Sequence, residues 1–153
     1  GKLSLILCTH GHYDHVGSAG VLSREWGAKL YCEPADCRGT QLLPLKGSDS
    51  GYEEGEVISL DELSFTVWHT PGHTEGSVVL LCENYLFVGD TVFQGSIGRT
   101  DLEGGDSRKM DESLRKFAAL PVPAEAQPGH GDFSTFGQEA ATNFYIKNAL
   151  RNA

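Results

Sequence analysis

The sequence predicts an α/β fold on three observations. Short apolar and β-branched runs between turn signals recur from residue 2 to residue 88. Helical spacing of apolar residues is confined to one segment after residue 17 and to the last third of the chain. A content of 19 glycines, 39% hydrophobic and 22% charged residues describes a loop-rich globular protein. A chain of 153 residues is long enough to bury its own core, and no linker, internal repeat or low-complexity tract divides it, so one domain is expected over 1–153.

The first expected strand is residues 2–8, where leucine and isoleucine run almost unbroken. It feeds the polar loop Thr9-His10-Gly11-His12-Tyr13-Asp14-His15-Val16-Gly17. From Ser18 to Trp26, Ala19, Leu22 and Trp26 have the spacing of one helical face, and Gly27 is placed to stop that helix. A strand at Lys29–Cys32 and a turn opened by Pro34 follow. Residues 39–55 shift to Gly, Ser, Asp and Glu with little periodicity, a loop that serves either as a lid or as a connector.

Strands are expected at Glu56–Leu60, Leu63–His69, Ser77–Cys82 and Tyr85–Val88, forming an antiparallel meander. Asp106 or Ser107 caps a helix running through Met110, Leu114, Phe117 and Ala118 to Leu120, ended by Pro121 and Pro123. Thr135 with Gln138 makes a capping box for a last helix through Asn148.

A net charge of −9 without a basic patch argues against nucleic acid as a partner. Cys8, Cys32, Cys37 and Cys82 show no Cys-x-x-Cys spacing and read as reduced structural thiols, which suits a cytoplasmic protein. No apolar stretch is long enough to span a membrane, and none of the features of a signal peptide is seen at residue 1.

The chemistry concentrates where strands end. Half of the 6 histidines lie between Thr9 and Gly17 together with Asp14. Imidazole nitrogen and carboxylate oxygen suit a zinc-like ion, but neighbouring side chains on one turning loop point different ways. Two ions are therefore favoured, His10 and His12 facing one while Asp14 and His15 face the other. Further polar motifs follow later strands: Thr70-Pro71-Gly72-His73-Thr74-Glu75-Gly76-Ser77, Gly89-Asp90-Thr91 and Pro128-Gly129-His130-Gly131-Asp132. His69 precedes a turn at a strand end and reads as a packing or supporting residue.

Taken together, THGHYDHVG, TPGHTEGS, FVGDTVF and PGHG closely resemble the motifs of the metallo-β-lactamase superfamily over nearly the whole chain. The resemblance implies that His10, His12 and His73 bind a first metal, that Asp14, His15 and His130 bind a second, and that Asp90 bridges them. Asp14 and Asp90 are the carboxylates it places at the catalytic centre, and two zinc ions, with iron or manganese as substitutes, are the cofactors it implies. The tract GSIGRTDLEGGD is similar to that of glyoxalase II-like hydrolases, and also to that of persulfide dioxygenases. The dioxygenases bind one iron and generally lack the histidine kept here at His15, which favours the dinuclear hydrolase.

The function expected on this basis is a metal-dependent hydrolase of a small acyl thioester or ester, with a metal-bridging hydroxide as nucleophile. Coordination lowers the pKa of water to about 7, and a thiolate leaves without a dedicated acid because its conjugate thiol has a pKa of about 8.5. Arg99 could anchor a substrate carboxylate or pair with Asp101 or Asp106, and Tyr13 could touch substrate or wall the site. The alternatives are a mononuclear iron enzyme of the persulfide dioxygenase type and a catalytically incomplete metal-binding fragment. Members of the superfamily are αββα sandwiches with several strands ahead of the ligand loop. An N-terminally truncated, incomplete sandwich is therefore expected, with an exposed edge that pairs with a second copy or with the missing strands. Neither nucleic acid nor membrane is an expected partner.

Overall fold

The computed structural model describes residues 1–122 and 124–153, so the expected helix-ending role of Pro123 lies outside the described residues. In order the elements are β1 (Leu5–Leu7), α1 (Tyr13–Val16), α2 (Ala19–Trp26), β2 (Lys29–Tyr31), a 3-10 turn (Pro34–Asp36), β3 (Val57–Leu60), β4 (Leu63–His69), β5 (Val78–Cys82) and β6 (Tyr85–Gly89). There follow β7 (Val92–Phe93), β8 (Ser96–Ile97), α3 (Ser107–Ala118), β9 (Glu125–Pro128), β10 (Ser134–Thr135), α4 (Phe136–Thr142) and α5 (Phe144–Arg151).

These elements stack as four layers, because alternate residues of each strand serve opposite faces. Ile6, Leu30 and Cys32 on one face of the parallel pair β1–β2 pack with Val16 and Ala19 beneath the first two helices. Leu5, Leu7 and Tyr31 on its other face meet Ile58, Val67, Val78 and Leu80 of the larger sheet. The far face of that sheet, through Val79, Leu86 and Val88, packs on Met110, Leu114 and Phe117 of α3 and on Ile146 and Ala149 of α5. The order helix, sheet, sheet, helix is the αββα arrangement expected.

The larger sheet has the order β10-β9-β6-β5-β4-β3. Neighbours from β3 to β6 are antiparallel, the expected meander, whereas β9 joins β6 in parallel. Two antiparallel steps restore direction, so β4, β6 and β9 all run the same way. Their C-terminal ends therefore meet at one edge of the sheet. The short strands β7, β8 and β10 carry two residues each, too few for alternation to show, and β9, Glu-Ala-Gln-Pro, has none of the β-branched or aromatic residues that mark a strand.

Helix boundaries follow capping chemistry. Gly27 adopts φ 64° and donates its N–H to the Ser23 carbonyl, ending α2 as expected. Only Ala19 of the anticipated apolar face is buried, however, while Leu22 and Trp26 are exposed. The Asp106 carboxylate accepts from the N–H groups of Arg108 and Lys109 and starts α3.

The single last helix expected through Asn148 is two helices. Thr135 caps α4 through the Gln138 N–H, but Asn143 leaves helical geometry at ψ 120° and caps α5 through Tyr145 and Ile146. Its amide also donates to the Ser96 carbonyl and to Glu139, so a buried asparagine with several partners outweighs helix continuity. Segment 39–55 is pinned at Leu43 and Tyr52. Leu43 is fully buried, and the Tyr52 hydroxyl donates to the Cys8 carbonyl.

Candidate metal centre

Four strand ends deliver the polar motifs to one hollow. β1 opens into the loop of His10 and His12, β4 into that of His73, β6 into Asp90 and β9 into His130. Backbone hydrogen bonds join these segments, from Val78 N–H to the Thr9 carbonyl and from Gly129 N–H to the Gly89 carbonyl, each 2.8 Å. The short helix α1, unforeseen in the sequence, turns Asp14 and His15 toward the far side of the hollow.

Five imidazoles and two carboxylates converge there. Donor atoms of His10, His12 and His73 all lie within 4.8 Å of one another, as do those of His10, His15 and Asp90, and those of Asp14, His15 and His130. Asp90 sits at the middle: its oxygens are 3.3 Å from His15 Nε2, 3.3 Å from His73 Nε2, 3.4 Å from His130 Nε2 and 3.7 Å from His10 Nε2. Asp14 Oδ2 stands 3.1 Å from His130 Nε2. The sixth histidine, His69, is apart and engages the Tyr52 carbonyl through Nε2.

The two groups differ in surroundings. His10, His12, His73 and Asp90 are buried, His15 is half-buried, and Asp14 and His130 are exposed. Burial, and then the neighbouring charge of His15, pushes His10 down to about 2, and burial followed by His73 lowers His12, so both are neutral lone-pair donors at pH 7. Burial pushes Asp90 up, but the imidazoles of His15 and His73 beside it outweigh that and hold the carboxyl well below its usual range. Burial lowers His15 while the Asp90 carboxylate raises it further, and the net direction is up.

The donor set fits cations. His10 Nε2 and Asp90 Oδ1 are buried with no hydrogen-bond partner among the described residues, a cost that a bound ion would relieve. His73 donates Nδ1–H to the Arg99 carbonyl at 2.7 Å, which fixes its tautomer and leaves Nε2 free toward the cluster. Gly98 and Gly129 are required by close approach. A Cβ at Gly98 would stand 1.8 Å from the Asp90 carbonyl oxygen, and one at Gly129 would stand 2.4 Å from Asp90 Oδ1.

The cluster floors a cavity of about 470 Å³ whose apolar walls are Leu42, Phe93, Ile97 and Leu102. Tyr13 and Arg99 also line it. Tyr13 is largely exposed, and the Arg99 guanidinium is ion-paired with Asp101, at 2.7 Å from Nε to Oδ1. A cleft of about 580 Å³ around Arg24, Lys46 and Ser48 contains none of these donors. One buried group escaped sequence reasoning altogether. Asp36 reads as an ordinary turn aspartate, yet it is fully buried beneath the cluster, against the strong tendency of aspartate toward the surface.

The model of the metallo-beta-lactamase superfamily matches residues 1–130, a span that includes all seven donor residues. The chain belongs to the metallo-beta-lactamase superfamily. Among members, it is 33% identical over 164 residues to the hydroxyacylglutathione hydrolase GloC of Haemophilus influenzae, covering 96% of this chain and 77% of that protein. The crystal structure of the B3 metallo-beta-lactamase BLEG-1 superposes with a TM-score of 0.79 at 32% identity, covering 94% of this chain and 77% of the other. The structure of TTHA1623 in a di-iron-bound form superposes with a TM-score of 0.76 at 34% identity, covering 92% and 76%. Identities so alike across differently named members carry the superfamily and its metal-dependent hydrolase chemistry, not one substrate. Among the described residues no helix is long and apolar enough to cross a membrane.

Proposed function

We propose that this superfamily member is a dinuclear metal hydrolase that cleaves a thioester or related ester in the 470 Å³ cavity. The observation that carries the reading is the convergence of seven donor residues, with buried polar atoms among them that have no hydrogen-bond partner among the described residues. His10, His12 and His73 would hold one ion, Asp14, His15 and His130 the other, with Asp90 reaching both. Bound there, dications supply Lewis acidity and a water activated at neutral pH, since coordination draws its pKa to about 7.

The protein's own groups do the rest. The Arg99 carbonyl orients His73 through the ring nitrogen that faces away from the cluster. Leu42, Phe93, Ile97 and Leu102 exclude water around the scissile bond and favour an apolar acyl group. A thiolate product, whose conjugate acid has a pKa of about 8.5, departs without a proton from the protein. Arg99 and Tyr13 stand at the cavity wall where the remote part of a substrate would lie. Zinc is the ion favoured by a histidine-rich donor set, while the di-iron form of TTHA1623 makes iron its competitor.

Elemental analysis of the purified protein, combined with hydrolysis assays on acyl thioesters, esters and a β-lactam, tests this reading. Two equivalents of metal and chelator-sensitive thioester turnover are expected. One iron with oxygen consumption would select the dioxygenase alternative, and bound metal without turnover of any of the three would leave a metal-binding module.

A further inference from the structure

Asp36 ends the 3-10 turn after β2 and is wholly enclosed, yet none of its atoms belongs to the donor cluster. Its carboxylate accepts hydrogen bonds from two other segments. Oδ2 receives the Gly11 N–H at 2.9 Å and the Thr74 hydroxyl at 2.7 Å, and Oδ1 receives the Gly76 N–H at 2.8 Å. Gly11 lies between His10 and His12, and Thr74 directly follows His73. One buried carboxylate therefore ties together the two loops that carry all three imidazoles of the first donor set.

The contact is too close for side chains at its glycines. A Cβ at Gly11 would stand 2.5 Å from the Asp36 carbonyl oxygen, and one at Gly76 would stand 2.7 Å from the Asp36 carboxyl carbon. The three donors are two backbone N–H groups and one hydroxyl, all uncharged. Burial of a carboxylate is expensive even when it is hydrogen-bonded, and an apolar residue would fill the space at less cost. In the second donor set, by contrast, Asp14 and His130 are exposed.

We propose that Asp36 is a positioning residue that presets His10, His12 and His73 for their ion, an inference that rests on the metal reading above. By gripping the backbone between two ligands and the hydroxyl beside the third, it fixes the spacing of the three imidazoles before any ion arrives. Its effect is confined to the first donor set, and the second is formed without it.

Zinc affinity of the full chain, read by competition with a chromophoric chelator, tests this. A His130→Ala background isolates the first set and a His12→Ala background isolates the second. Asp36→Asn is expected to lower zinc affinity by about 10- to 100-fold in the first background and to leave the second unchanged. Thr74→Val, which keeps the shape and loses the hydroxyl, should act in the same direction, and Thr74→Ser should restore binding; this pair decides the matter if Asp36→Asn does not fold. Unchanged affinity of the first set, or equal losses in both backgrounds, overturns the proposal while leaving the metal reading intact. A wild-type chain that takes up no zinc, iron or manganese overturns the metal reading and this inference with it.

Discussion

His12 Nδ1 and His73 Nε2 stand 3.0 Å apart, although 61 positions separate the two residues. Two ligand nitrogens on a tetrahedral ion with bonds of about 2.0–2.1 Å lie roughly 3.3 Å from each other. The pair is thus spaced almost as a shared ion requires. Replacing His12 with alanine is expected to cut hydrolysis by more than about 100-fold, beyond the usual cost of losing an outer partner. Zinc should also raise the thermal midpoint of wild type, by the equivalent of about 4 kcal/mol at a concentration 1,000 times Kd. Differential scanning calorimetry with and without chelator reads this, and a His12→Ala chain as responsive to zinc as wild type would contradict it.

Gly129→Ala separates the site from the fold. Its methyl group would press on Asp90 Oδ1 and, at 2.5 Å, on His15 Cε1. Overpacking of this kind costs about 1–3 kcal/mol, and here it displaces the central carboxylate. The variant should fold, with an unchanged far-ultraviolet circular dichroism spectrum, and lose at least about 10-fold in turnover, since an ångström of misplacement can cost far more. Full activity in a folded Gly129→Ala protein would show that Asp90 need not stay where it is.

Arg99 and Asp101 form an exposed, two-pronged pair at the cavity wall, with Nη2 to Oδ2 at 2.8 Å as the second contact. Exposed pairs add little to stability, so Arg99→Ala should leave the thermal midpoint where it is. If the guanidinium meets the remote part of the substrate, KM rises several-fold at nearly constant kcat. An unchanged KM across carboxylate-bearing thioesters would assign Arg99 to its ion pair alone.

Asp106 offers a test of pH dependence away from the metal centre. The N–H groups of Lys109 and Arg108 hold its carboxyl below the ordinary carboxylate range. A folded-state value below the unfolded one means that the cap stabilises fully above the ordinary carboxylate range and fades as pH falls through the lowered value. Asp106→Asn caps without a titrating charge. The wild-type advantage in thermal midpoint over Asp106→Asn should be greatest near about pH 6 and shrink toward about pH 3. A gap that widens on acidification would reverse the sign.

The strands of the meander and the cap at Asp106 were legible in the sequence because they are local. Alternation, turn residues and capping donors all act within a few positions. The ligand motifs were legible for a related reason, since each is a compact run of histidine, aspartate and glycine at a strand end. Leu22 and Trp26 show where local reading stops: their helical spacing is apolar, but the layer beneath α2 is filled by Ala19 and Val16 instead. Asn143 broke the last helix because its partners, the Ser96 carbonyl and Glu139, come from β8 and from the preceding helix, and no helix propensity accounts for them.

By itself the sequence determined the class of fold, the segments that carry donor atoms and the superfamily they resemble. Tertiary structure alone decided that β4, β6 and β9 run the same way, so that His73, Asp90 and His130 come to the loop of His10 and His12. It alone also drew Asp36 out of an unremarkable turn and set it between two of those loops. The physical reason is that donor chemistry is a property of residue types. Convergence and burial depend on strand direction and on contacts between segments dozens of positions apart, which no local pattern encodes.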